Sequence, residues 1–240
     1  MTIKSNSCLI DLISDLKKLS NTKQAEVLSR FFKTWEGEYW YWDKFLWIKV
    51  PLQRQVSKKY LNLNFEDIQN LLNSDIHEHR LVALLILVQN YTKADYKIQN
   101  QIFNFYIKNS QSINNRDLVD LSAPNIVWNH LLNSDKSILY RLAKSKNLRE
   151  KRISIISTYT FIRNNQFQDT LNISELLLQD SHDLIHKAVW WMLREIWKRN
   201  LKVEEDFLKI YYKTMPRTML RYAIEKFEEN IRQKYLKWLL

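Results

Sequence analysis

The segment from His182 to Arg199 combines tryptophan rings with fixed positive charges on one predicted helix. At about 100° per residue, its apolar side chains form a single stripe. The stripe comprises Ile185, Ala188, Val189, Met192 and Ile196, whereas the flank and the opposite face carry Lys187, Trp190, Trp191, Arg194 and Trp197. Aromatic rings between cations suit a polyanion that also offers flat or apolar groups, as nucleic acid does. The alternative is that a neighbouring helix buries these rings in a second interface.

A second candidate group lies in the segment from Asn114 to Pro124. Asn115 is suited to cap a helix, and Asp117 in the first turn suits the positive end of the helix dipole. Asp120 stands one turn after Arg116, which allows an i, i+4 ion pair. The functional alternative is that a carboxylate in a basic groove stabilises a developing positive charge.

Several other chemistries are excluded or unsupported. A single glycine, Gly37, cannot build a GxGxxG or Walker-type phosphate loop. The run His77-Glu78-His79 lacks the HExxH spacing of a zinc site, and we interpret it as a helix cap with ordinary surface residues. His182 and His186 stand at i, i+4 without a carboxylate or cysteine at a matching spacing. We therefore expect no metal and no other cofactor.

The charge balance favours an anionic partner. The 240 residues contain 37 Lys+Arg and 26 Asp+Glu, which gives a formal net charge of +11. Such an excess suits nucleic acid, an anionic membrane surface or an acidic protein. The lone cysteine, Cys8, allows no intramolecular disulfide and fits a reducing compartment. Since we see no secretory signal and no apolar run of membrane-spanning length, we expect a cytoplasmic protein that does not enter a membrane.

Apolar residues recur at helical spacing almost throughout, and the scarcity of glycine and proline argues against a β-rich fold. Clusters of Asn, Ser and Asp separate the helical stretches and are natural helix caps. The predicted helices cover 9–19, 24–33, 52–61, 65–72, 76–90, 94–108, 116–132, 137–143, 149–164, 173–178, 182–198, 204–213 and 217–240. Two helices in roughly 35 residues indicate an all-α helical-repeat solenoid.

A cation recurs early in the second helix of each predicted pair. Its spacings are 36, 36, 35 and 34 residues, at positions Arg80, Arg116, Arg152, Lys187 and Arg221. If these positions are structurally equivalent, the cations line one face of the solenoid as a ladder. That face is predicted to be a concave basic groove.

Four of the nine tryptophans lie between residues 35 and 47, at Trp35, Trp40, Trp42 and Trp47. This Trp35–Trp47 cluster either packs over the end of the solenoid or presents an aromatic surface to a ligand. We favour the packing role, since clustered aromatic residues are usually buried.

Five segments resemble motifs of the AlkD-like DNA alkylation repair glycosylases. The segments are 71–84, 115–124, the helix around Arg152, 187–195 and 215–225. They span about residues 70–228 in the family's order. The resemblance implies one HEAT-like repeat domain over residues 1–240. Its parts are loosely matching helices at 1–70, core repeats at 71–228 and the end of the C-terminal helix at 229–240.

The resemblance also implies an activity, namely excision of cationic N-alkylated purines such as 3-methyladenine and 7-methylguanine from duplex DNA, without base flipping. By motif, Asp120 matches the catalytic aspartate, and Trp191 matches the tryptophan that packs against the sugar-phosphate of the lesion. Arg152 matches a backbone-binding arginine, and Phe31 stands where an aromatic residue lines the cleft. We expect further DNA contacts from Lys187, Arg194, Arg116, Arg221 and Arg80, with Trp190 as a second cleft aromatic.

The chain departs from the family pattern at three positions. Arg116 replaces a tryptophan that helps to form the aromatic cleft, and Trp128 and Trp47 replace glycines. Arg116 either pairs with Asp120 and reduces its negative charge or adds a phosphate contact while Trp128 or an N-terminal aromatic residue closes the cleft.

Three functions therefore remain open at this stage: a glycosylase, a non-catalytic protein that binds damaged or distorted DNA, and a scaffold for acidic proteins. We favour the glycosylase. A basic groove that holds one duplex suggests a monomer, associated with the nucleoid.

Overall fold

The structure is a computed structural model that describes residues 3–20, 43–132 and 134–239. These residues form α-helices joined by short turns, without β-strands in the described ranges, so the predicted all-α fold is confirmed. Phe31 and three members of the Trp35–Trp47 cluster, Trp35, Trp40 and Trp42, lie outside the described residues. No helix in the described ranges is long and apolar enough to cross a membrane.

The chain divides into two compact units, Met1–Ser122 and Ala123–Leu240. The first unit contains α1 (Ile3–Leu19), α2 (Val50–Lys59), α3 (Phe65–Leu72), α4 (His77–Lys93), α5 (Tyr96–Lys108) and a short 3-10 turn (Ser110–Ser112). Helix α6 (Arg116–Leu131) begins in the first unit and ends in the second.

The second unit continues with α7 (Ser137–Ala143), α8 (Leu148–Ile156), α9 (Tyr159–Arg163), α10 (Gln168–Leu177), α11 (Asp183–Trp197), α12 (Leu201–Tyr211), α13 (Arg217–Ala223) and α14 (Glu229–Leu236). The solenoid, its basic groove and the assignment of residues 1–240 to one continuous domain stay predictions.

Short polar side chains cap some of these helices, as the sequence predicts, whereas others, such as α4 and α7, begin without a side-chain cap. Asn64 Oδ1 accepts a hydrogen bond from the Asp67 amide at 2.8 Å. Asn115 Oδ1 accepts one from the Arg116 amide at 2.9 Å and so caps α6. Such caps satisfy amide groups that have no partner within the helix.

Two predicted helices are each divided in two. The stretch 149–164 forms α8 and α9, which are separated by Ser157 and Thr158. The Thr158 hydroxyl donates to the Ile155 carbonyl at 2.7 Å, and such side-chain bonds to the backbone compete with helix continuation. The stretch 217–240 forms α13 and α14, and between them Phe227 packs edge-on against Tyr235 at 5.7 Å. Apolar periodicity alone did not reveal either break.

Candidate nucleic-acid interface

The start of α6 carries the candidate catalytic carboxylate. Arg116 Nε lies 3.7 Å from Asp120 Oδ2, so the predicted i, i+4 pair is present. The Arg116 side chain is 53% exposed and that of Asp120 is 17% exposed. An ion pair with one partner this exposed contributes at most about 1 kcal/mol, so Arg116 holds Asp120 only weakly.

Pro124 shapes the same region, because it stands inside α6. A proline has no amide hydrogen, so the Asp120 carbonyl, four residues earlier, receives no helical hydrogen bond from it. The helix therefore continues through Pro124 with one backbone hydrogen bond fewer, one turn after the candidate carboxylate.

A buried group of charged side chains lies beneath the start of α6. His77 Nε2 is 2.8 Å from Asp117 Oδ2, and this contact joins the first turns of α4 and α6. His77, Glu78 and His79 are all buried. The interpretation of these three as ordinary surface residues is therefore wrong, and Asp117 does more than interact with the helix dipole.

The charge of His77 depends on its carboxylate neighbours. Burial lowers the pKa of His77, but Asp117 and Asp43 outweigh this effect and raise the pKa to about 9. His77 is therefore an imidazolium at neutral pH, and it links two helix N-termini through a charged contact.

Arg80 belongs to this buried group as well. Its Nη2 lies 2.8 Å from Asp43 Oδ1, and its Nη1 donates to the Ser74 carbonyl at 2.5 Å. The amides of Asn114 and Asn115 donate to the same Asp43 carboxylate at 3.1 and 2.9 Å. Burial raises the pKa of Asp43, but the His77 contact and the charge of Arg80 outweigh it and hold this pKa below its usual value. Arg80 is only 4% exposed, so its contacts are with this protein.

In the second unit, α11 presents the surface of rings and cations that its sequence predicts. The whole predicted apolar stripe, Ile185, Ala188, Val189, Met192 and Ile196, is buried. The opposite residues, Lys187, Trp190, Trp191, Arg194 and Trp197, are partly exposed. A neighbouring helix therefore covers these rings only in part.

Trp190 lies at the centre of a stacked group. Its ring stacks on Tyr222 of α13 at 4.9 Å with an interplanar angle of 19°, and the Arg194 guanidinium lies 4.7 Å from the ring centroid. Arg194 Nη1 also reaches Glu225 at 3.5 Å. Trp190 Nε1 and Arg194 Nε have no acceptor in the part of the chain that the structure describes. Both nitrogen atoms are buried, so the exposed parts of this group that can meet a ligand are the ring edges and the remainder of the Arg194 guanidinium.

Trp191 has an aromatic neighbour that sequence reasoning missed. Tyr159 of α9 lies 6.1 Å from it with an interplanar angle of 39°. No sequence signal joins the two residues, because they belong to different helices with unrelated patterns.

The cation ladder divides into exposed and buried members. Arg221 is exposed, and Lys187 is partly exposed, with its ammonium 2.8 Å from Asp183 Oδ2. Arg152 is only 4% exposed, and its Nη1 donates to the Leu184 carbonyl at 2.7 Å. Arg152 therefore connects α8 to α11, much as Arg80 connects α4 to the Ser74 turn, and a shared sequence position does not imply shared exposure.

The chain matches a known protein family over most of its length. The family model for DNA alkylation repair enzymes matches residues 12–227. The chain belongs to the DNA alkylation repair enzyme family. No curated protein matches its sequence.

A solved structure shows the same fold. This DNA alkylation repair family member is similar to a predicted DNA alkylation repair enzyme from Enterococcus faecalis, with a TM-score of 0.65 and 16% sequence identity. The match covers 88% of this chain and 97% of that one. At this identity the likeness concerns the fold.

Proposed function

We propose that this DNA alkylation repair family member is a glycosylase that excises cationic N-alkylated purines, 3-methyladenine and 7-methylguanine, from duplex DNA without base flipping. The observation that carries the proposal is Asp120, a partly buried carboxylate at the start of α6 whose Oδ2 lies 3.7 Å from Arg116 Nε. Its presence in a chain of this family supports a catalytic role.

The chemistry needs few groups. An N-alkylated purine already carries a positive charge, so it departs with the electron pair of its bond to C1′ as a neutral base, without a general acid. Positive charge then develops on the deoxyribose, and the Asp120 carboxylate stabilises it by charge. Asp120 also orients the water that attacks C1′, and the proton of that water passes to solvent or to the carboxylate.

The α11 surface supplies binding in this proposal. Trp191 packs against the sugar-phosphate, and a cation–π contribution of roughly 0.5–2 kcal/mol is available to a cationic nucleotide. Lys187, Arg194 and Arg221 neutralise phosphates, which gives binding that is independent of sequence and strongly dependent on salt. Arg116 adds a phosphate contact when its ion pair with Asp120 is broken.

The burial of Arg152 leads to a testable contrast with Lys187. We expect Lys187→Gln to reduce the slope of log Kd against log salt concentration by about 1, since one phosphate contact is lost. We expect Arg152→Met to leave this slope unchanged and to lower the unfolding free energy by about 1–3 kcal/mol, because it removes the donor to the buried Leu184 carbonyl. Fluorescence anisotropy with duplex DNA and thermal unfolding measure the two effects.

Lys97→Gln is the control for charge, because it removes one exposed lysine from α5, which carries none of the proposed DNA contacts. A slope change as large in Lys97→Gln as in Lys187→Gln would contradict the assigned contact. A change of the salt slope in Arg152→Met would show that Arg152 contacts DNA phosphates.

One observation favours a second candidate function. Arg116 stands beside Asp120 where the family motif has a tryptophan, and a paired carboxylate stabilises a cationic sugar less well than an unpaired one. The alternative is therefore a protein that binds damaged or distorted DNA without excising a base.

The deciding experiment measures release of 7-methylguanine from methylated duplex DNA under single-turnover conditions, together with affinity for the same duplex. Release faster than spontaneous depurination supports the glycosylase. Binding without release supports the second candidate, and no binding at low salt contradicts both.

A further inference from the structure

A cavity of about 420 Å³ lies in the first unit, where α3, α4 and α5 meet. Its volume falls within the range of small-molecule pockets, about 300–1,000 Å³. His77 and Lys93 are the first and last residues of α4, a helix of 17 residues that is therefore about 25 Å long. Since Lys93 lines the cavity and His77 contacts Asp117, the cavity lies at the opposite end of α4 from the start of α6.

Hydrogen bonds between side chains and backbone hold the walls of this cavity in place. Asn90 Nδ2 donates to the Leu61 carbonyl at 2.9 Å and so joins α4 to the turn before α3. Gln99 Nε2 donates to the Tyr91 carbonyl at 3.1 Å and so joins α5 to the end of α4. The walls are therefore fixed without a ligand, as in most small-molecule sites.

The wall of the cavity is mainly aliphatic. Its aliphatic residues include Leu61, Leu63, Ile68, Leu87, Ile98 and Ile102. Two large apolar residues of the wall reach solvent, since Ile98 is 40% exposed and Phe65 is 38% exposed. Apolar side chains exposed around a concavity indicate that an apolar group binds there. Because Phe65 is the single aromatic residue among the described residues of the wall, a flexible aliphatic chain fits better than a flat ring.

The charge of the wall selects the other end of the ligand. Lys93 is the one charged residue among the described residues of the wall, where Asn64 and Asn90 are the uncharged polar ones. The Lys93 side chain is exposed and forms no ion pair with the residues that the structure describes. An ammonium group attracts an anion, and the formal net charge of +11 disfavours a cationic ligand.

We propose that this cavity binds a free aliphatic carboxylate of medium chain length. The aliphatic wall removes the chain from water, which is the main source of affinity. Lys93 at the end of α4 pairs with the carboxylate, and this charged contact selects the anionic head group.

The test compares chains that differ in length or in the charge of the head group. Isothermal titration calorimetry of the full chain uses octanoate, decanoate and decyltrimethylammonium, each below its micelle concentration. We expect one decanoate to bind per chain, and octanoate to bind about 10-fold more weakly because two fewer methylene groups leave water. We expect decyltrimethylammonium to bind at least about 10-fold more weakly than decanoate, because Lys93 repels it. No binding of decanoate at millimolar concentration, or equal affinities for the two head groups, would overturn the proposal.

Variants then locate the site. We expect Ala94→Phe to weaken decanoate binding about 10-fold or more, because the added ring occupies the cavity that Ala94 lines. Thr92→Phe adds the same ring at an exposed position outside the described wall, and it should leave binding unchanged. We expect Lys93→Gln to weaken decanoate binding about 5-fold or more through loss of the charged contact. Lys97→Gln, which removes an exposed lysine of α5 outside the described wall, is its matched control.

Undiminished decanoate binding in Ala94→Phe that is folded, as judged by circular dichroism, would place the carboxylate elsewhere on the positive surface and overturn the proposal. An equal loss of affinity in Lys93→Gln and Lys97→Gln would also overturn it, because the attraction would then come from the overall charge.

The titration is independent of the proposed function. It contains no DNA, and none of the substituted residues is assigned to excision. Failure of decanoate to bind would therefore overturn only the cavity assignment, and failure of 7-methylguanine release would overturn only the glycosylase.

Discussion

Asp120→Asn is expected to lower the rate of 7-methylguanine release from methylated duplex DNA about 100- to 1,000-fold, as for loss of one strong electrostatic group from an active site. The substitution keeps the size and shape of the side chain and removes the negative charge that would stabilise the cationic sugar. Duplex affinity is expected to stay within about 3-fold of the wild type, because the phosphate contacts come from other residues.

The control for this experiment is Asp206→Asn, which removes an exposed carboxylate with its own ion pairs in α12. It should retain the wild-type rate. Release that persists in Asp120→Asn would show that Asp120 is not the catalytic carboxylate. A parallel fall in affinity and rate would show that Asp120 acts in binding.

Helical periodicity predicted the all-α fold because it is a local property of the chain. The predicted bounds 65–72 and 137–143 agree with α3 (Phe65–Leu72) and α7 (Ser137–Ala143). The break at Ser157 and Thr158 was missed, since hydroxyl bonds to the backbone leave the apolar pattern unchanged. The local apolar pattern therefore predicts where helices occur more reliably than where they are interrupted.

Contacts between residues that are close in the sequence could be predicted, whereas contacts between distant segments of the candidate site could not. The Arg116–Asp120 pair follows from i, i+4 spacing, and so does the division of α11 into a buried stripe and a partly exposed face. The contact of His77 with Asp117 joins positions 40 residues apart, so no spacing rule reveals it.

The sequence pattern also does not distinguish buried arginines from exposed ones. Arg80 and Arg152 share a sequence pattern with exposed cations, but each donates to a backbone carbonyl inside the protein. Counting charges along the chain therefore overstates the positive surface that is available to DNA. The salt dependence of duplex binding therefore tests only the exposed cations of the ladder.

A buried carboxyl group in α12 makes stability depend on pH. Glu204 is completely buried, and neither of its side-chain oxygens has a hydrogen-bond partner in the described part of the chain. Burial, helped by the charge of Glu205, raises the pKa of Glu204 from 4.5 to about 9. The side chain is therefore neutral in the folded protein at pH 7 and ionised in the unfolded chain.

We expect thermal stability to fall as pH rises from 5 to 8 and the fall to be smaller in Glu204→Gln. Because the folded state binds the extra proton, its advantage is complete below the unfolded pKa and is lost as pH rises toward the folded pKa, at up to about 1.4 kcal/mol per pH unit. His77, whose pKa is raised from 6.5 to about 9, adds a loss of the same sign above pH 6.5. The difference between variant and wild type therefore isolates Glu204.

Differential scanning calorimetry at pH 5 and pH 8 measures the effect. At pH 8 the Tm of Glu204→Gln should exceed that of the wild type by several degrees, at about 2–4 °C per kcal/mol for a chain of this size. Glu205→Gln makes the same chemical change at the next, partly exposed position and should alter the pH dependence much less. If Glu204→Gln and the wild type lose stability equally between the two pH values, the Glu204 carboxyl is already ionised in the folded protein and must reach solvent or a cation there.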